Sequence, residues 1–234
     1  MREQMGGERP AKVEQVAAAL AALGMYDGEN TPKEHSEEAA RLGGPDSLSS
    51  DGAPVSLITE YSTTARPDRR IVEVYDSDAY LGDDEALQRS RTRVVAGNGY
   101  HLYLHSLQPD IEVQVTIRVW DTPRKPPEDT EGTVPVSLES ETGQLVVNQV
   151  TFGPAGMMDL PRPGVYDGHA AWSGRDATAA YYDTCLQRAV DERWGPEQIG
   201  AAWKQCSTAE QYTLDLWFVR ESEPEDKDED EDDE

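Results

Sequence analysis

Ile111-Glu112-Val113-Gln114-Val115-Thr116-Ile117-Arg118-Val119 alternates apolar and polar residues without a break. Successive side chains on a strand point to opposite faces, so the five apolar residues share one side and Glu112, Gln114, Thr116 and Arg118 the other. One face of the sheet is therefore buried and the other wet. The same period of two recurs over residues 55–61, 71–75, 134–138, 145–152, 165–172 and 212–219. Asn98-Gly99 separates Arg93-Val94-Val95 from Tyr100-His101-Leu102-Tyr103-Leu104, and both turn residues tolerate positive φ, which predicts a β-hairpin. About eight short strands with turn signals between them predict a mainly all-β fold, an antiparallel β-sandwich.

Outward from these strands the pattern changes. Over residues 176–206 the sequence predicts a helical insertion: Asp176 can cap a helix with Ala180, Tyr181, Cys185, Leu186, Ala189 and Val190 as its apolar stripe. Gly195 ends it, and Pro196 opens a second helix carrying Ile199 and Trp203. Near the N-terminus, Pro10, Val13, Val16, Leu20, Leu23 and Gly24 predict one short amphipathic helix. Gly43-Gly44-Pro45 and Ser49-Ser50-Asp51-Gly52 mark a linker after it. The expected organisation is an N-terminal helix and flexible linker over 1–52, a sandwich domain over 53–220 and a disordered acidic tail over 221–234. That tail holds 11 acidic residues and Lys227, with nothing to bury.

The 234 residues carry 46 acidic and 21 basic side chains, a formal net charge of -25. Such a field repels phosphate backbones and anionic lipid surfaces, so direct binding to nucleic acid or membrane is not expected. The apolar run over 16–25 follows Glu3, Glu8 and Glu14, unlike the cationic start of a signal peptide, and a cytoplasmic location is expected. Cys185 and Cys206 lack metal spacing and read as free thiols.

Catalytic signatures are absent. His101 and His105 stand four apart on a strand, about 13 Å, which is too far to share an ion, and both are expected to face solvent with Tyr103. His169 reads as a surface or hydrogen-bonded residue and His35 lies in the linker. No nucleophile motif, phosphate cradle or acid–base carboxylate pair stands out, so no catalytic, cofactor-binding or metal-binding residue is assigned and no enzyme is expected.

Two electrostatic features remain. Arg89, Arg91 and Arg93 alternate, which on a strand puts three guanidinium groups on one face at about 7 Å steps. They read either as a charged edge strand that resists sheet-to-sheet association or as a docking strip for carboxylates. Against them stands an acidic body able to mimic nucleic acid toward a basic partner.

The strand order carries a resemblance. Val55-Ser-Leu-Ile-Thr-Glu-Tyr61, Gly99-Tyr-His-Leu-Tyr-Leu-His105, Val134-Pro135-Val136-Ser137-Leu138 turning into Leu145-Val146-Val147, and Asp159-Leu160-Pro161-Arg162-Pro163-Gly164-Val165-Tyr166 resemble the competence protein J family. The closing Glu210-Gln211-Tyr212-Thr213-Leu214-Asp215-Leu216-Trp217 is similar to uncharacterised actinobacterial domains. The resemblance spans roughly 53–220 and implies a small acidic inhibitor of a DNA-entry nuclease; it assigns no site residue. The expected function is a non-enzymatic, acidic protein-binding module, an inhibitor or immunity-like antagonist of a nuclease or other basic partner. The alternative is a sandwich that holds a small molecule or glycan in a groove beneath the helical insertion, with Tyr100, Tyr103 and Trp172 as an exposed aromatic face.

Overall fold

The computed structural model describes residues 55–78, 80 and 82–222. The expected N-terminal helix, the linker and the chain beyond Ser222 lie outside the described residues. In chain order the elements are β1 (Leu57–Ala65), β2 (Ile71–Asp76), α1 (Asp84–Arg93), β3 (Val95–Gly97), β4 (His101–His105), β5 (Val113–Trp120), β6 (Gly132–Ser140), β7 (Gln144–Gln149), β8 (Gly153–Asp159), β9 (Gly164–Ser173), α2 (Arg175–Asp191), α3 (Pro196–Trp203) and β10 (Gln211–Arg220).

Two five-stranded sheets form, in the orders β1-β5-β10-β9-β6 and β3-β4-β2-β7-β8. The mainly-β, two-sheet expectation holds. Val113, Val115, Ile117 and Val119 of β5 enter one core with Leu214 and Leu216 of β10, Val72 and Val74 of β2, and Leu102 and Leu104 of β4. Full burial of such a side chain contributes about 1.5–3 kcal/mol, so the alternation alone decides which face of each strand turns inward. The pairing is not wholly antiparallel: β5 and β10 run parallel, with Arg118 beside Asp215 and Trp120 beside Trp217. Gly168 of β9 lets its neighbour close in, since a Cβ there would lie 2.1 Å from the Asp215 carbonyl oxygen.

The Asn98-Gly99 hairpin forms, with Asn98 Oδ1 accepting from Tyr100 N at 3.0 Å and His101 N at 2.9 Å. The strand expected over 145–152 instead ends at Gln149, turns, and returns as β8. Pro154 is tolerated in β8 because this is an edge strand, where a proline costs no ladder bond.

The segment read as an arginine strand is a helix. Asp83 caps α1, accepting from Glu85 N at 2.8 Å and Ala86 N at 3.0 Å. Asp84 and Glu85 sit in its first turn and Arg91 and Arg93 in its last, complementing the helix dipole.

The helical insertion forms, with Gly174 (φ 71°) rather than Asp176 at the cap. Its buried stripe is Thr178, Tyr182, Cys185 and Ala189, and Ala180 is exposed. With Ile199 and Trp203 of α3 this stripe packs on Ile111, so the insertion closes the end of the sandwich where β5 begins. No helix among the described residues is long and apolar enough to cross a membrane.

Candidate functional site

Strand alternation sends Glu73 of β2 and His101, Tyr103 and His105 of β4 to the outer face of the second sheet. Yet all four are buried. The expectation that both histidines and Tyr103 meet solvent is therefore corrected: α1 lies on this face, where Ala86 and Leu87 pack against Ile71 and Tyr103. The result is a buried polar layer rather than a wet one.

His101 is fully enclosed. Its ring stacks on Tyr103 at 4.4 Å, lies 4.8 Å from Tyr75 and meets Tyr80 edge-on at 5.1 Å. Nε2 stands 3.3 Å from Glu73 Oε1, without hydrogen-bond alignment. Glu73 also accepts from Asn148 Nδ2 at 2.7 Å and Tyr80 Oη at 3.4 Å. Burial pushes the Glu73 carboxyl up, but His101, Asn148 and Tyr80 together outweigh it and hold the group below its usual range.

At the far end of β4, His105 receives two bonds from one arginine: Arg175 Nε donates to its carbonyl at 2.9 Å, and Arg175 Nη2 stands 3.3 Å from Nδ1. Burial, followed by the charges of Arg175, Arg70 and Arg91, lowers the His105 ring to about 3, so it is neutral at physiological pH. Nearby, Asp110 pairs with Arg66 and accepts from Tyr182 Oη at 2.8 Å; burial raises it against these partners. Glu210 is buried with Ser106 Oγ at 2.8 Å and Tyr212 Oη at 2.6 Å, and burial raises it too.

A cleft of about 830 Å³ opens on this face, lined by Arg66, Arg69, Arg70, Arg91, Tyr103 and Phe152, among others. A smaller hollow of about 350 Å³ lies between α2 and α3, beside Tyr181 and Trp194. The larger cleft is beside α1 and not beneath the helical insertion, where the sequence alternative placed a groove.

The arginine strip disperses on the helix. Of the three, Arg91 lines the cleft. Arg89 pairs with Glu85 at 2.7 Å and donates to the Gly97 carbonyl at 3.3 Å, and Arg93 is exposed. Residues two apart lie about 200° round a helix, so Arg91 is turned away from Arg89 and Arg93, which being four apart return to one side. The expected aromatic face is not assembled either. Tyr103 is 3% exposed beneath α1, Tyr100 sits at the hairpin turn, and Trp172 packs half-buried against the core.

A different aromatic pair does share a face. Trp120 and Trp217 stand side by side on the outer face of the first sheet, with His169 edge-on to Trp217 at 5.4 Å. Beneath them Asp215, wholly buried, accepts from Arg118 Nε at 2.7 Å, Arg118 Nη2 at 2.9 Å and Trp120 Nε1 at 2.7 Å. The pairing follows from the parallel register of β5 and β10, which alternation does not encode. Among the described residues no group of His, Cys, Asp and Glu is placed to hold a metal ion.

No family model matches the chain, and no curated protein sequence matches it. Among solved structures the chain is similar to that of ComJ, inhibitor of the DNA degrading activity of NucA, from Bacillus subtilis. The identity is 11% over 71% of this chain and 100% of that one, with a TM-score of 0.45. A second similar structure, described as crocagin biosynthetic gene J, is 14% identical over 72% of this chain and 100% of its own, with a TM-score of 0.40. Both are likenesses of fold at low identity.

Proposed function

We propose that this chain is a non-enzymatic, acidic binding module that docks a basic protein partner and antagonises it. The observation that carries the reading is the excess of carboxylates over the folded body. Residues 55–222 hold 26 acidic and 15 basic side chains. Four of those cations and five carboxylates line the cleft, which leaves 21 acidic residues against 11 basic ones elsewhere. Arg118 is in turn neutralised by buried Asp215. Exposed carboxylates such as Glu128, Asp129 and Glu131 before β6, and Asp191, Glu192 and Glu197 around the α2–α3 turn, are held by folded backbone. Carboxylates fixed in this way attract a cationic surface without the ordering cost that a flexible segment incurs. A DNA-degrading enzyme of the kind ComJ inhibits is one partner whose cationic cleft suits such a surface.

The test begins with affinity capture from the native cell at low and moderate salt. Stopped-flow association is then measured for the full chain and for a chain ending at Ser222. The expected partner is basic, and its association slows by roughly tenfold or more across a salt series while dissociation changes little. The shortened chain should unfold at an unchanged temperature and keep most of the salt dependence. An association rate indifferent to salt, or binding lost entirely with residues 223–234, refutes the reading.

A further inference from the structure

The cleft on the second sheet mixes both signs of charge, with arginines concentrated beside carboxylates that are mostly held by their own neighbours. Five carboxylates line it, but four are already engaged: Asp68 by Thr151, Glu73 by Asn148, Asp83 by the first turn of α1, and Asp110 by Arg66. The fifth, Asp84, stands exposed in the first helical turn. The arginines are the reverse case. Arg69, Arg70 and Arg91 line the same cleft, and among the described residues none of them forms a salt bridge there, although the Arg70 charge also reaches Asp183 of α2.

Their placement is costly. Arg69 and Arg70 both adopt positive φ, 52° and 68°, a conformation that costs a side-chain-bearing residue about 1–2 kcal/mol. The turn that imposes it is pinned on both sides. Asp68 accepts from Thr151 N at 2.6 Å, Arg70 N donates to the Pro67 carbonyl at 2.7 Å, and Ser106 N donates to the Arg70 carbonyl at 2.9 Å. Backbone strain of this kind persists where the surrounding structure over-determines it, and here it places two consecutive arginines on the wall of one cavity.

The other wall is apolar and open. Tyr80, Val150 and Phe152 are exposed large hydrophobic residues that line this cleft, Tyr80 at 59% and Phe152 at 57%, and Arg66 lies over the Phe152 ring at 5.0 Å. Guanidinium groups that form no salt bridge, beside accessible rings and in a volume typical of small-molecule sites, match a ligand with a phosphate at one end and a planar group at the other. The acidic body excludes a polyanion but not a small, singly phosphorylated molecule.

We propose that this cleft binds a small organic phosphate of the nucleoside monophosphate class, with Arg69, Arg70 and Arg91 holding the phosphate and the Tyr80 and Phe152 side of the cleft taking the ring. This site is independent of the partner-docking surface.

The test is calorimetric titration of the full chain with AMP, inorganic phosphate and adenosine in low-salt, phosphate-free buffer. AMP is expected to bind one to one, more tightly than phosphate, with adenosine giving no measurable heat. Arg70→Ala and Arg91→Ala should each weaken AMP roughly tenfold to a hundredfold. Arg93→Ala, on the same helix and outside the cleft lining, should leave it unchanged. Melting curves establish that each variant folds, and Arg91 is exposed on the surface of α1. Absence of AMP binding, or AMP binding indifferent to both cleft variants, overturns the site. Equal affinity for AMP and inorganic phosphate, or adenosine binding as well as AMP, overturns the ligand class. Partner docking with its salt dependence should survive in Arg91→Ala whichever result is obtained.

Discussion

Acidification from about pH 7 to about pH 5 is expected to cost the folded chain about 2 kcal/mol through His105 alone, rising to about 4 kcal/mol near pH 3. In the unfolded chain this imidazole titrates near 6.5, whereas burial and the surrounding Arg175, Arg70 and Arg91 lower it to about 3 in the fold. Between those values the unfolded state binds a proton that the folded state refuses. Stability therefore falls as the pH drops through 6.5 and goes on falling until the folded value is reached. Glu73, held below its usual range, acts in the same direction at lower pH. Asp110 and Glu210, raised by burial, act in the opposite direction, because the folded state takes up their protons before the unfolded state does.

Urea titrations at a series of pH values, on the native chain and on His105→Gln, separate these contributions. Glutamine cannot take the proton, so the variant should lose the slope between pH 6.5 and pH 5. Parallel curves for the two proteins would show that His105 titrates normally and that its arginine neighbours are screened.

Asp215→Ala is expected to destabilise the fold by about 3 kcal/mol, near the lower end for breaking a buried charge pair because the Arg118 side chain keeps 25% exposure and can turn to water. The carboxylate, fully buried on β10, is the acceptor for two Arg118 nitrogens and the Trp120 indole. Its removal leaves these donors unmet on the outer face of the first sheet. Asp215→Asn retains one oxygen and should cost roughly half as much. As a control, Ser62→Ala removes an exposed hydroxyl 2.8 Å from Thr116 and should change stability by less than about 0.5 kcal/mol. A loss below about 1 kcal/mol for Asp215→Ala would show that water satisfies Arg118 and Trp120 once the carboxylate is gone.

How much of this was legible in the residues depends on the range over which each feature is decided. Segments such as Ile111 to Val119 declared themselves, because burial of alternate side chains is a local pattern with a large free energy behind it. The Asn98-Gly99 turn did so because positive φ is a property of the residues themselves. Helix α1 was also legible in principle, since Asp83-Asp84-Glu85 before Arg89, Arg91 and Arg93 is the charge order a helix dipole favours. The arginine alternation is an equally local pattern that points to a strand, and only the helix cap at Asp83 decides between the two.

The sequence by itself determined the mainly-β class, the inward face of the principal strands, the hairpin, the two insertion helices and the excess of negative charge. Tertiary structure alone decided that β10 lies parallel to β5, that α1 covers the outer face of the second sheet, and that Arg91 reaches the cleft occupied by Arg69 and Arg70. The physical reason is that a period of two names a face but neither the direction of a strand nor its neighbour. Arg70, Arg91 and Arg175 come from three separate places in the chain, and their common environment around His105 exists only after long-range packing has been completed.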